Sequence, residues 1–148
     1  MGILIDNRQS SHRISLAKIR RKARVILDAL GSPEAELSIL LVDDGQIAQL
    51  NRQYLGRPGP TNVIAFPMHA GEFADVSPYL LGDVVISVDT AEREGNESGT
   101  ALEGRLDELL VHGILHLFGY DHEKNAADAR LMAKKSTALM ELIRTADR

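Results

Sequence analysis

The sequence contains no cysteine. This absence excludes disulfide bonds and thiolate ligands, so any bound metal must rest on histidine and carboxylate side chains. The sequence also has no apolar run near the roughly eighteen residues of a membrane-spanning helix, and residues 1–6 lack the basic and apolar segments of a secretion signal. We therefore expect a cytoplasmic protein that has no membrane partner.

Internal repeats, low-complexity tracts and linker-like stretches are also missing, and 148 residues suffice for one domain with a sizeable core. Hydrophobic periodicity and the breaks between periodic segments predict the secondary structure. Strands are expected at residues 3–5, 36–42, 61–68 and 80–88, and helices at 15–30, 44–55, 89–97, 102–118 and 125–143. Asp89 is the expected N-cap of the third helix. An irregular segment before the last strand contains Gly71, Asp75, Ser77 and Pro78.

Positive charge is scarce except near the N-terminus. The net charge is −4, yet residues 1–30 carry seven Lys and Arg against two acids. Five of these cations fall on the first predicted helix, whose opposite face is apolar, so we expect all five to face solvent: Lys18, Arg20, Arg21, Lys22 and Arg24. They form either an ordinary solvated surface or an electrostatic footprint for a polyanion such as RNA.

Three of the five histidines lie within eleven residues, at positions 112, 116 and 122. His112 and His116 are four residues apart, which places them on one face of the predicted helix. Gly119 can end that helix in the left-handed conformation and let the chain bring His122 back to the same point. Three imidazoles leave one coordination position open, which is typical of a catalytic metal. The alternative is a set of ordinary histidines with polar partners.

The residues around this triplet indicate which chemistry it supports. Glu108, one turn before His112, can accept the free ring N–H of a ligand histidine. Asp121 can orient a water molecule, although a local backbone cap is the commoner role for an Asp after a helix. Gly113 stands where zinc proteases of the H-E-x-x-H type carry their general base. A metal-bound water can act without that base. Because a site without that base occurs together with a basic helix surface, phosphodiester hydrolysis is favoured over proteolysis.

Three segments resemble motifs of the YbeY family of metal-dependent endoribonucleases. Residues 108–122, ELLVHGILHLFGYDH, contain a match to the signature H-G-x-L-H-L-x-G-Y-D-H. Residues 50–54 and 60–67, LNRQY and PTNVIAFP, resemble the family's L-N-x-x-Y and P-T-D/N-V-L-S-F-P. Residues 81–87, LGDVVIS, resemble its L-G-D-I-V-I-S strand.

The resemblance implies a zincin-like α+β fold in one domain over residues 1–148, with a small mixed sheet of about four strands and about five helices. It implies one zinc ion on His112, His116 and His122, although imidazole sites also take other divalent transition metals. The implied partners are ribosomal RNA and ribosomal particles, in ribosomal RNA maturation and ribosome quality control. DNA is not an expected partner.

Two positions depart from the family pattern. The family usually has Arg directly after the aromatic residue of L-N-x-x-Y, where it serves RNA cleavage, and this chain has Leu55. Arg57, two positions later in a flexible Gly/Pro loop, is the candidate replacement. The family's usual Ser before Phe-Pro is Ala65.

The leading hypothesis is a single-strand-preferring endoribonuclease with a metal-bound water in its site and Arg57 on a phosphate. Two alternatives stay open at this point. The chain could be a non-catalytic ribosome-assembly factor with a structural metal, which the loss of the family arginine at Leu55 favours. It could also be a zincin-like peptidase or hydrolase, against which the missing acid at Gly113 argues.

Overall fold

The computed structural model describes residues 2–68, 79–121, 123 and 125–146. Four strands and five helices follow one another as β1 (Ile3–Asn7), α1 (Leu16–Ala29), β2 (Glu36–Val42), α2 (Asp44–Leu55), β3 (Val63–Pro67), β4 (Leu80–Ser87), α3 (Val88–Ser98), α4 (Ala101–Leu117) and α5 (Ala126–Ala146). This α+β arrangement is the predicted fold class. His122 and the segment with Gly71, Asp75, Ser77 and Pro78 lie outside the described residues.

The sheet has the strand order β1-β2-β4-β3. Strands β1, β2 and β4 run parallel, and β3 pairs antiparallel with the outer edge of β4. The sheet is therefore mixed, as predicted, and β1 is an edge strand. Strand β3 forms the other edge, and the candidate site lies beside it.

Helices cover both faces of the sheet. On one face, α4 packs against β3 and β4, and α1 and α5 pack against α4. On the opposite face, Ile47 of α2 joins Val42, Ile64 and Val85 in a small separate cluster. The separation follows from strand alternation, since neighbouring residues such as Val84 and Val85 point to opposite faces.

Most helix starts agree with the sequence. Ser15 caps α1, and Asp43 forms a capping box with Gln46 at the start of α2. The predicted cap at Asp89 is wrong, because α3 begins at Val88 and its N-cap is Ser87. The last residue of β4 leads straight into the helix, so Ser87 takes the capping position first. The Asp89 carboxylate instead accepts a hydrogen bond from the Asp44 backbone N–H at 3.1 Å.

The expectation that all five cations of α1 face solvent is wrong for Lys22. Its side chain is only 5% exposed, and its Nζ lies 2.8 Å from Asp107 Oδ1 and 3.4 Å from Glu103 Oε1. Helix α4 packs over this part of α1 and supplies both acids, so the ammonium is buried together with its counter-charges. Lys18, Arg20 and Arg21 are exposed, and Arg24 donates a 3.0 Å hydrogen bond to the Pro33 carbonyl.

No helix within the described ranges is both long and apolar enough to cross a lipid bilayer.

Candidate active site

Two imidazole rings meet on one face of α4. The Nε2 atoms of His112 and His116 are 3.0 Å apart, and the ring planes stand at 67°. Two nitrogens on one tetrahedral zinc ion, each about 2.0–2.1 Å from the metal, would lie roughly 3.3 Å apart. The two rings therefore fit a shared divalent transition metal, as the spacing of four residues predicts.

The turn after α4 is formed as the sequence predicts. Gly119 adopts a φ of +95°, as predicted. Its N–H bonds to the His116 carbonyl at 3.0 Å, and the Tyr120 N–H bonds to the Leu115 carbonyl at 3.1 Å, which is a Schellman motif. The chain thus reverses direction three residues after His116.

The predicted ligand His122 lies outside the described residues. Within the described ranges, no group of three or more His, Asp or Glu side chains could hold a metal ion. The three-histidine set therefore stays a prediction, supported by the two rings and the turn.

Asp121 is engaged in the turn itself. Its Oδ1 accepts a 2.8 Å hydrogen bond from the Glu123 N–H. This is the local cap that the sequence favours for Asp121. The same residue also lines the cleft described next.

The two histidines open into a cleft of about 520 Å³, here called the histidine cleft. Its walls come from α4, the edge strand β3, the end of α2 and the loop that follows it. The lining residues are Leu55, Arg57, Asn62, Val63, Ile64, Ala65, Pro67, His112, Gly113, His116, Asp121 and Glu123. The structure thus brings Arg57 to the same cleft as the histidine pair, which the sequence left open.

Asn51 ties the loop that carries Arg57 to α2. Its backbone carbonyl accepts a hydrogen bond from the Arg57 backbone N–H at 3.3 Å, and its side-chain amide donates a hydrogen bond to the Gly59 carbonyl at 3.0 Å. Asn51 itself is only 5% exposed. Two hydrogen bonds therefore connect this loop to α2, at Arg57 and at Gly59. Sequence reasoning missed this role, although an asparagine just before a Gly/Pro loop was a visible signal.

Gly113 has a structural reason to be glycine. A Cβ at this position would lie 2.6 Å from Val84 Cγ1 and 3.3 Å from Val63 Cγ2. The position therefore faces the sheet at close range and has no room for the glutamate of the H-E-x-x-H proteases.

Residues 4–144 match the family model described as Endoribonuclease YbeY. The chain belongs to the YbeY family. An Endoribonuclease YbeY from Geobacter sulfurreducens is 48% identical over 144 residues, which cover 97% of this chain and 96% of that protein. One from Aquifex aeolicus is 47% identical over 113 residues, covering 76% of this chain and 73% of the relative.

The fold also has a counterpart among solved structures. The solution structure of TM1509 from Thermotoga maritima aligns with a TM-score of 0.66 at 26% sequence identity. The alignment covers 95% of this chain and 88% of that one. The architecture of this chain therefore recurs in a solved structure over most of its length.

Both departures from the YbeY pattern lie in the histidine cleft. Leu55, where the family usually has Arg, lines the cleft and is 47% exposed, and Ala65 lines it from β3. The cleft consequently has one guanidinium fewer than the family pattern implies at this point. Arg57 contributes a guanidinium to the lining of the histidine cleft.

A second cavity, of about 410 Å³, lies on the other side of His112. It shares Asn62, Val63 and His112 with the histidine cleft and contains Glu108. The Glu108 Oε1 lies 3.4 Å from Arg105 Nη1. Glu108 is thus near His112 and paired with an arginine, and its predicted hydrogen bond to a ligand histidine stays a prediction.

Proposed function

We propose that this chain is a metal-dependent endoribonuclease that cleaves single-stranded regions of ribosomal RNA precursors in the cytoplasm. The observation that carries the proposal is the pair of imidazole nitrogens 3.0 Å apart in a cleft that also holds Arg57. Membership in the YbeY family, whose relatives bear the name endoribonuclease, supplies the reaction class.

His112 and His116, together with His122, would hold one divalent ion, and zinc is the proposed metal. A bound ion would supply Lewis-acid stabilisation of phosphate charge and would lower the pKa of a coordinated water toward about 7. Imidazole ligands suit zinc, but they also accept other divalent transition metals.

The chain's own side chains position the RNA. The Arg57 guanidinium can donate two parallel hydrogen bonds to the oxygens of one phosphate. Asn51 holds the backbone on both sides of Arg57, so the guanidinium is presented to the cleft by a restrained loop. This restraint lowers the conformational entropy that the arginine loses when it binds a phosphate.

The dimensions and charge of the molecule favour single-stranded RNA over duplex. A cleft of about 520 Å³ is the size of a pocket for one small ligand, so it admits an unstacked nucleotide. The net charge of −4 disfavours general nucleic-acid coating. The exposed cations Lys18, Arg20 and Arg21 of α1 are proposed as a further contact to the ribosomal RNA.

An RNA cleavage assay tests the proposal directly. Purified protein is incubated with a single-stranded ribosomal RNA fragment, before and after treatment with a chelator and after the metal is restored. We expect cleavage that stops with the chelator, returns with the metal and is abolished in His116→Ala. Persistence of cleavage in purified His116→Ala would refute the assignment. A wild-type protein that binds the fragment but never cuts it would instead indicate an assembly factor.

A further inference from the structure

Two consecutive large side chains are exposed at the end of α2, and one of them reaches the histidine cleft. Tyr54 is 60% exposed and Leu55 is 47% exposed, and they are the last two residues of α2. Leu55 lines the histidine cleft, and Tyr54 lines the neighbouring groove on the α2 face of the sheet. The pair therefore connects the cleft with the surface outside it.

The Tyr54 ring is held in place despite its exposure. It makes an edge-to-face contact with Phe66, with the ring centroids 5.6 Å apart and the planes at 76°. Phe66 lies in β3 between Ala65 and Pro67, both of which line the histidine cleft. The tyrosine ring is thus fixed across the edge strand from the cleft, with most of its surface available to a ligand.

The side chains along this segment complement the chemical groups of an unpaired RNA strand. Tyr54 offers an aromatic ring, Leu55 an apolar surface and Arg57 a guanidinium, in four residues. Proteins that bind single strands stack bases on aromatic side chains and pair phosphates with cations. The bases of a duplex are already stacked on one another and cannot reach such a ring.

We propose that Tyr54 and Leu55 form a base-binding shelf that stacks an unpaired base of the RNA strand as it leaves the histidine cleft. This inference rests on the proposed function and adds a subsite to it. The apolar Leu55, which lines the cleft, extends the stacking surface toward it. The shelf makes the site prefer unpaired RNA, because a base-paired nucleotide would have to unstack first.

The composition of the chain supplies a selective probe. It has no tryptophan and three tyrosines, so its intrinsic fluorescence is tyrosine fluorescence. A base stacked on Tyr54 should quench that fluorescence. We would titrate a short single-stranded oligoribonucleotide into His116→Ala protein, which we expect to bind the RNA and not to cut it, and follow both the quenching and the anisotropy of a dye on the RNA.

Matched variants in the same background separate the shelf from general effects. Tyr54→Leu should weaken binding about tenfold, which is within the range of one stacked base, and should remove the quenching. Tyr54→Phe keeps the ring and should bind within about twofold of the parent. Tyr79→Leu removes another exposed tyrosine, 52% exposed at the start of β4, and should change neither Kd nor quenching. Thermal unfolding should show that each variant is folded.

The outcomes distinguish the shelf from the proposed function. If Tyr54→Leu binds the single strand as tightly as the parent while wild-type protein still cleaves RNA, the shelf is refuted and the proposed function stands. If Tyr54→Leu weakens a duplex of the same sequence equally, the shelf is also refuted. If wild-type protein neither binds nor cleaves the RNA, the proposed function fails and the shelf with it.

Discussion

At the scale of single residues, an informative position lies behind Arg57 and not among the candidate metal ligands. Asn51 is buried and makes two hydrogen bonds to the loop after α2. Its backbone carbonyl accepts one from the Arg57 N–H, and its side-chain amide donates one to the Gly59 carbonyl. In the proposed function Arg57 contacts the RNA, and Asn51 is the positioning residue behind it.

Asn51→Ala should therefore reduce RNA cleavage, but less than Arg57→Ala does, because the variant loses the side-chain hydrogen bond to Gly59 and keeps the backbone hydrogen bond to Arg57. The double variant should be little worse than Arg57→Ala alone, since Asn51 acts through Arg57. The measurement is kcat/KM on single-stranded RNA. Arg52→Ala, an exposed arginine on the same helix, serves as the control and should stay close to wild type. Additive losses would contradict the coupling.

A second residue-scale feature is the Asp44 carboxylate between α2 and α3. Its oxygens accept hydrogen bonds from Ser87 Oγ and Thr90 Oγ1, both at 2.6 Å, and from Arg93 Nη1 at 2.8 Å. Burial is the largest single effect and raises the pKa of Asp44. The three hydrogen bonds and the charge of Arg93 together outweigh it, so the pKa lies below its ordinary value of 3.8.

This lowered pKa predicts a pH-dependent contribution to stability. The carboxylate stabilises the fold fully above pH 3.8, and the contribution is lost as the pH falls through the lower pKa of the folded state. Asp44→Asn should reduce the free energy of unfolding by about 1–3 kcal/mol at neutral pH, because the amide loses the charge and meets Arg93 with a donor. Urea unfolding at pH 7 and in acid measures both values. A difference between wild type and variant that does not shrink in acid would contradict this.

At the scale of elements, the contact between α4 and the sheet positions the histidine pair. Gly113 lets the helix backbone approach Val84 so closely that an added Cβ would lie 2.6 Å from Cγ1. His112 and Gly113 are neighbours, so a shift of the helix there moves the candidate ligands and the walls of the cleft together.

Gly113→Ala should destabilise the fold by about 1–3 kcal/mol, although Gly to Ala in an open helix position stabilises by up to about 1 kcal/mol. Gly113→Ala should also reduce RNA cleavage, because it shifts α4 at the histidine pair. The double variant Gly113→Ala, Val84→Ala should recover part of that cleavage, because the smaller side chain at position 84 makes room for the added methyl group. Thermal unfolding and RNA cleavage are the two measurements. Gly45→Ala on α2, whose added methyl meets only Asp43 Oδ1 at 3.5 Å, is the control and should not destabilise. A stabilised Gly113→Ala would disprove the tight contact.

The elements also show how far the sequence alone could lead. Helix α4 and the pairing of His112 with His116 were predictable, since both follow from helical periodicity. The burial of Lys22 was not, because its partner Asp107 lies 85 residues away in sequence. The arrival of Arg57 at the cleft was not predictable either, because two hydrogen bonds from Asn51 set the path of the loop. The glycines and prolines of that loop give no indication of these hydrogen bonds.

At the scale of the whole molecule, the candidate site occupies one edge of the sheet. Strand β3 separates the histidine cleft on its α4 side from the groove on its α2 side, and the loop after α2 passes around that edge. An RNA strand bound here would contact α4, β3 and the end of α2 together. Because the molecule as a whole is acidic, this contact must come from local groups and not from the overall field.

The central claim is that the imidazoles of His112 and His116 bind one metal ion with His122. Elemental analysis of protein purified without chelator measures it most directly. We expect about one equivalent of a divalent transition metal per chain in the wild type and in Arg57→Ala, which removes a substrate contact only. We expect almost none in His112→Ala and His116→Ala. A full equivalent of metal in folded His116→Ala would contradict the claim.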